Sequence, residues 1–487
     1  YIVTMILELL LYVLFACASA KQWNFLLIIA DDLRDALGCY DDPNAYTPNI
    51  DLFSRDSAIF TQAFAQQALC GPSRNSFLTS RRPDTLQLYD FYSYWREVAG
   101  NFTTLPEHLR NHGYRTKSIG KVFHPGISSN GSDDSPYSWT DKPFHPYTNR
   151  FKDTKLCGSP DSEVLGRNLC PVKVSEMPNQ TLPDLENVRQ AKKFLRNRAR
   201  DLDPFFLAVG FQKPHIPLKY PRRYLSMSSY TVAYNPWIDL RKRDDVRSLN
   251  RLYPLRTNFG KRIIQSYYAA VTYIDNLIGE VLRELNASSL RDNTVVLLTS
   301  DHGWSLGEHG IWAKYSNFEV AVKVPFLLSI PGITFDKLTH DGTNTTQRNG
   351  IIIDSIVELV DIFPTIADLA GIPIPTCQNN SKLSFWQYPR PGIYPTIVPN
   401  SDEPRLNEIT VMGYSIRTGE HRYTAWLGFS ASTRKPDWLK IIAEELYDIL
   451  IDPRELKNLA EYEQFARVKQ RLKEMLQEGY TSALPYG

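Results

Sequence analysis

Four short strand-like runs in this chain, three of them apolar through their centres, each end on a cluster of polar or ionisable residues, and that repeat limits the fold more than any other feature. Asn24 to Ala30 leads into Asp31 and Asp32, and Tyr114 to Ile119 leads into Gly120, Lys121 and His124. Pro204 to Gly210 leads into Lys213, Pro214 and His215, and Thr294 to Ser300 leads into Asp301, His302 and Gly303. The runs from Asn24, Pro204 and Thr294 are apolar at consecutive central positions, rather than at alternate ones, and so fit strands buried on both faces. Helical patterns separate the runs, at 49–57, 73–81, 105–112, 185–199, 261–285 and 356–370. Together they predict an α/β protein with a large, mostly parallel sheet flanked by helices. Ligands of such sheets bind beyond the carboxyl ends of the strands, so the clusters are expected to meet at one edge.

The pattern changes after residue 383. Ser384 to Pro399 is rich in Pro and Tyr and reads as a linker or extended segment. Alternating patterns follow at 408–417, 422–427 and 445–450, then a charged amphipathic helix at 461–477. These predict a smaller C-terminal antiparallel sheet with a terminal helix.

The beginning of the chain reads as a targeting segment. The apolar run from Met5 to Leu14 leads to Ala18-Ser19-Ala20, a small-x-small cleavage pattern. It is too short to span a bilayer and contains Glu8, so a cleaved signal peptide over 1–20 is expected, with no membrane span after cleavage. Six Asn-x-Ser/Thr sequons agree with a secretory route, at Asn101, Asn130, Asn179, Asn286, Asn344 and Asn379. Cys157 and Cys170 are close enough to close a short loop, whereas Cys39 and Cys377 either pair with each other or stay free. A net charge of +2 over 487 residues gives no general excess for nucleic acid, so any anionic substrate must be recognised locally.

Cys70 opens the run Cys70-Gly71-Pro72-Ser73-Arg74-Asn75-Ser76-Phe77-Leu78-Thr79-Ser80-Arg81. The run resembles the C-x-P-S-R-x-x-x-L-T-G-R signature of the type I sulfatases. A lone cysteine at a helix start reads as a buried or reactive thiol; the Pro-Ser-Arg that follows disfavours that here. Paired acids at a strand end are often caps or turn residues. Two such pairs, Asp31-Asp32 and Asp301-His302, instead point to a divalent cation, and oxygen-rich ligation suits Ca²⁺ or Mg²⁺ over zinc. A single lysine such as Lys121 or Lys314 reads as a solvated charge, and His215 as a hydrogen-bonded histidine in a proline-stiffened loop. His309 reads as a loop residue near the site, and His108, His112, His145, His340 and His421 as surface or structural groups.

The resemblance implies an alkaline-phosphatase-like fold with residues 21–383 as sulfatase catalytic domain and 384–487 as C-terminal subdomain. It also implies oxidation of Cys70 to formylglycine (3-oxoalanine), whose hydrate attacks sulfur. Asp31, Asp32, Asp301 and His302 match the ligands of one Ca²⁺, with the modified Cys70 also facing it. Lys121 and Lys314 match sulfate-binding lysines, and Arg74 the arginine that steadies formylglycine. His124 matches the group that helps expel sulfate, and His215 the proton donor to the leaving sugar oxygen. Trp304 and Tyr315 are expected to wall the sugar.

Several stretches, among them Gly120 to Pro125 and Asp133 to Trp139, resemble a glycosaminoglycan-degrading branch of this family. That branch implies hydrolysis of the 2-O-sulfate from terminal iduronate of heparan and dermatan sulfate in the lysosome. Implied partners are sulfated glycosaminoglycan oligosaccharides, a formylglycine-generating enzyme and a lysosomal sorting receptor. Rival readings are a sulfatase for another sulfated sugar or sterol, a phosphodiesterase or phosphatase of the same superfamily, and a catalytically silent glycan-binding homologue. The chain departs from the family pattern at Ser80, where glycine is usual. Relative to that pattern it is also shortened between Tyr224 and Tyr234 and between Cys377 and Trp386, and the second segment lacks the cysteine that the resemblance pairs with Cys377.

Overall fold

The computed structural model describes residues 22–152, 154, 169–201, 203–226, 257–335, 350–374, 383–393 and 403–482. The expected signal peptide, Cys157, Cys377 and the segment 227–256 lie outside these residues.

The strands are β1 (Asn24–Asp31), β2 (Ala58–Phe64), β3 (Arg115–Gly120), β4 (Leu169–Val172), β5 (Phe205–Pro214), β6 (Leu218–Pro221), β7 (Thr294–Ser300), β8 (Ser305–Leu306), β9 (Trp312–Ala313), β10 (Lys323–Ser329), β11 (Ile351–Glu358), β12 (Ser384–Arg390), β13 (Val411–Arg417), β14 (His421–Ser430) and β15 (Lys435–Asp448). The main sheet has seven strands in the order β11-β2-β10-β7-β1-β5-β3. β1 runs parallel to both β5 and β7, and β3 parallel to β5; β10 is antiparallel to both its neighbours.

Both faces of this sheet are covered, which explains the unbroken apolar runs. Phe25, Leu27 and Ile29 of β1 enter one hydrophobic cluster, while Leu26, Ile28 and Ala30 enter another. β5 and β7 divide their side chains in the same way. Each such Leu, Ile or Phe contributes roughly 1.5–3 kcal/mol on full burial. The helices Pro183–Arg198 and Thr257–Asn286 cover the face that carries Leu26 and Ile28.

Two expectations need correction. The helix expected over 356–370 begins later: β11 occupies Ile351–Glu358, a short turn follows, and the helix is Ile362–Leu369. The β-branched Ile351, Ile352, Ile353 and Ile356 suit an edge strand paired with β2. The stretch expected to be a linker from Ser384 contains β12, the first strand of a four-stranded antiparallel sheet in the order β12-β13-β14-β15. β12 is an edge strand, where Pro389 is tolerated because its missing N–H costs no ladder bond on the outer side. The helix Ala466–Ser482 packs on this sheet through Leu472 and Leu476.

One buried ion pair joins the two sheets. Arg82 Nη1 donates to Glu358 Oε1 at 2.8 Å and to the Phe385 carbonyl at 2.9 Å. Glu358 Oε1 also accepts the Phe385 amide at 2.7 Å, so one carboxylate binds the helix region after Cys70 and the start of β12 together.

Candidate active site

The site forms at the carboxyl ends of β1, β3, β5 and β7, beside the N-terminus of the helix Cys70–Thr79. Asp31 is the last residue of β1, and Asp32 follows in a left-handed conformation (φ 62°) that turns the chain away from the sheet. Asp301 and His302 follow β7, which lies next to β1. Lys121 follows β3, and His215 follows β5 in a loop bounded by cis peptides at Lys213–Pro214 and Ile216–Pro217.

Cys70 Sγ is fully buried at the centre of this group. Lys314 Nζ lies 2.8 Å from it, Lys121 Nζ 3.5 Å, His302 Nε2 3.4 Å and Asp31 Oδ1 3.5 Å. Burial pushes the thiol up, and Asp31 adds to the shift against the pull of the two lysines. That direction favours the neutral thiol, which is a poor nucleophile. Its sulfur marks where an oxygen of an oxidised side chain would sit, and the two ammonium groups are donors suited to oxygen.

Arg74 holds the acids in place. Its Nε donates to Asp301 Oδ2 at 2.9 Å, its Nη2 to Asp31 Oδ1 at 3.0 Å, and its Nη1 to the Val122 carbonyl at 3.0 Å. The guanidinium thereby bridges β1, β7 and the end of β3, which suits its planar fork. Burial alone would raise Asp31, but Lys121, then His215, Arg74 and Lys314 hold it well below the usual carboxylate range. Asp32 goes the other way: burial raises it, and Lys314 offsets this only in part.

The acids fit a hard divalent cation. Asp32, Cys70, Asp301 and His302 bring ligand atoms within 4.8 Å of one another, as do Asp31, Asp32, Cys70 and His215. Asp32 Oδ2 is buried without a hydrogen-bond partner among the described residues, a costly state unless a cation faces it. His302 Nδ1 lies 2.9 Å from the Gly303 carbonyl, which can only accept, so Nδ1 carries the proton and Nε2 keeps its lone pair.

A cavity of about 390 Å³ opens beside these groups, lined by Asp31, Lys121, His124 and His215 and, farther out, by Lys213 and Tyr273. His215 Nδ1 bonds the Ile216 carbonyl, which leaves Nε2 for the site, 3.8 Å from Asp32 Oδ2. His124 stacks on Phe91 with ring centroids 4.2 Å apart. Burial, then Lys121, hold both imidazoles well below the ordinary histidine value.

Sequence reasoning assigned no role to Phe91, which carries no local signal. It also left Asp184 unmarked: this buried carboxylate accepts the Gln212 amide at 2.8 Å and the Lys213 amide at 3.1 Å and so anchors the His215 loop. Trp304 and Tyr315 are buried and do not line this cavity. Trp304 stacks on Tyr267, and Tyr315 meets Tyr388 edge-on. His309 stacks on Phe318 near the C-terminal sheet. Cys39 carries no disulfide, whereas Cys170 is disulfide-bonded.

Comparison with known proteins agrees with this geometry. The family described as Sulfatase matches residues 23–372. The chain is 43% identical over 506 residues to iduronate 2-sulfatase of Mus musculus, covering 91% of each chain. It is 43% identical over 508 residues to iduronate 2-sulfatase of Homo sapiens, covering 91% of this chain and 92% of that one. Its fold is similar to a protein solved in complex with its substrate D-glucosamine-2-N,6-O-disulfate, with TM-score 0.66 and 20% identity over 95% of this chain and 98% of that one. The match over most of the main sheet, with a cysteine, acids and lysines gathered at the strand ends, makes this chain a member of the sulfatase family.

Proposed function

We propose that this protein hydrolyses the 2-O-sulfate ester of non-reducing-end iduronate in heparan sulfate and dermatan sulfate. The observation that carries the reading is the contact of Cys70 Sγ with Lys314 and Lys121 beside a cavity that His215 also lines. Support for the substrate comes from the 43% identity with the two iduronate 2-sulfatases.

Asp31, Asp32, Asp301 and His302 would hold the cation, which the oxygen-rich set favours as Ca²⁺. When bound, it neutralises charge on the sulfuryl oxygens. Cys70, oxidised to formylglycine, supplies a nucleophilic oxygen from its hydrate. Lys121 and Lys314 donate to the sulfate oxygens as charge moves onto them. Arg74 keeps Asp31 and Asp301 fixed while the sulfate binds. His215 presents Nε2 to the sugar oxygen that leaves, and the negative charge of the arriving sulfate favours its protonated form. His124, held flat against Phe91, serves the release of sulfate at the opposite side.

This reading places the catalytic part in 21–383 and a supporting part in 384–487. It also places the protein in the lysosome by a secretory route, with a formylglycine-generating enzyme and a sorting receptor as partners. A disulfide at Cys170 and exposed Asn101, Asn130, Asn179 and Asn286 are consistent with that route. Among the described residues no helix is long and apolar enough to cross a membrane.

The test is sulfate release from a disaccharide ending in 2-O-sulfated iduronate, with Cys70→Ala as control and mass spectrometry of residue 70. Release by the wild type alone is expected. No release from protein with oxidised Cys70 would overturn the substrate.

A further inference from the structure

The proposed chemistry leaves one buried cation without a task. Lys213 lines the cavity together with His215 and is only 7% exposed. Its Nζ donates one hydrogen bond, to the His215 carbonyl at 2.6 Å, although an ammonium has three N–H donors. No carboxylate oxygen of the described residues comes within ion-pair distance of it. The nearest acid in its own neighbourhood is already used: Asp184 accepts the Gln212 and Lys213 amides and the Asn187 side chain. A buried ammonium with unused donors and no paired anion is costly to keep unless a ligand completes it.

A second group in the same cavity is also incomplete. Tyr273, on the helix Thr257–Asn286, is 1% exposed, and its hydroxyl has no hydrogen-bond partner among the described residues. Lys219 and Lys152 line the cavity as well, but Lys219 Nζ is occupied by the Phe151, Lys152 and Thr154 carbonyls. Among the described residues Lys213 therefore stands out as the buried positive charge of this cavity with donors left for a ligand.

We propose that Lys213 binds the carboxylate of the sulfated sugar and makes the site selective for sulfated uronic acids over sulfated neutral sugars. The inference rests on the sulfatase reading above and adds to it the group that recognises the second negative charge of the substrate. Tyr273 donates its hydroxyl proton to the same end of the sugar. Lys213 is a specificity-determining residue here, while Lys121 and Lys314 serve the sulfate.

The experiment uses the calcium-loaded, formylglycine-bearing full chain and two disaccharides. Both carry a non-reducing-end 2-O-sulfate; one ends in the uronate and the other in its carboxyl-reduced counterpart with a CH₂OH group. The wild type is expected to prefer the uronate in kcat/KM by roughly 10- to 150-fold, the range of a charge-assisted hydrogen bond. Lys213→Met should bring that preference close to one, mainly through KM on the uronate. Lys213→Gln, which can still donate to the His215 carbonyl, should do the same and covers the case in which the Met variant fails to fold.

Equal wild-type rates on the two substrates would overturn the inference and leave the sulfatase reading standing. A variant that slows both substrates equally would also overturn it, because Lys213 would then act only by holding the loop. Failure of the wild type on both disaccharides, with oxidised Cys70, would instead remove the substrate reading and this inference with it.

Discussion

The Cys70 sulfur and the Lys314 ammonium lie 2.8 Å apart, and both side chains are buried. Asp32 accepts a second bond from the same ammonium at 2.9 Å, so Lys314 connects the nucleophile position to the acid cluster. Lys314→Met keeps the stem and removes the charge. Its kcat should fall about 10²- to 10³-fold, as for loss of one preorganised donor. Steady-state kinetics on the disaccharide, with circular dichroism to confirm folding, checks this; a loss below tenfold would remove Lys314 from the reaction.

Cation removal should destabilise the protein. Without a cation, Asp32 Oδ2 has no partner and three buried carboxylates crowd one another. At a free Ca²⁺ concentration of 100 Kd the ion contributes about 2.7 kcal/mol. A chelator should therefore lower Tm and added Ca²⁺ restore it. Asp32→Asn should make Tm insensitive to Ca²⁺. A wild-type Tm unmoved by chelation would argue against a resident ion.

Asp361 gives a pH-dependent prediction away from the site. Burial first, then the negative charge of Glu358, raise its carboxyl from 3.8 to about 7. A raised acid favours folding fully below its unfolded value, and that contribution is lost as pH climbs toward 7. Half-buried His309, lowered to about 4 by desolvation and then by Arg422, has the opposite sign and costs stability as pH falls below 6.5. Asp361→Asn isolates the first effect. Its Tm relative to wild type should rise between pH 5 and pH 7.5, and an unchanged difference would contradict the assignment.

Ser80 closes the helix Cys70–Thr79 in a left-handed conformation, φ 52° and ψ 42°. Glycine would sit there without strain. The serine hydroxyl donates to the Val360 carbonyl at 2.8 Å, which offsets part of the backbone cost. Ser80→Gly should therefore change stability by less than about 1 kcal/mol, while Ser80→Ala, which keeps the strain and loses the bond, should cost about 1–2 kcal/mol. Urea denaturation of both variants separates the two terms.

The parts of the molecule that can be read from sequence are those whose reason is local. β1, β5 and β7 announce themselves because both faces are buried and their central positions are apolar in succession. β10 does not: Pro325 interrupts it, has no N–H to give, and the pairing with β2 shifts across it. β11 was hidden because its isoleucines lie at a partly exposed edge, where a strand and a helix leave similar traces. In the site, the acids stand out because they end strands. Phe91 under His124, Asp184 under the His215 loop and the unpaired charge of Lys213 depend on neighbours far along the chain, and no spacing rule reveals them.

Cys70 has no exposed surface once the chain has folded. Any enzyme that oxidises it must reach it before β1, β7 and the helix it begins close around it. On the reading proposed above, modification would be a race between catalysis and folding, decided once for each molecule. A variant that folds faster, however stable, would leave more of its population with an inert thiol. The yield of active molecules would then be set by the time the chain spends open.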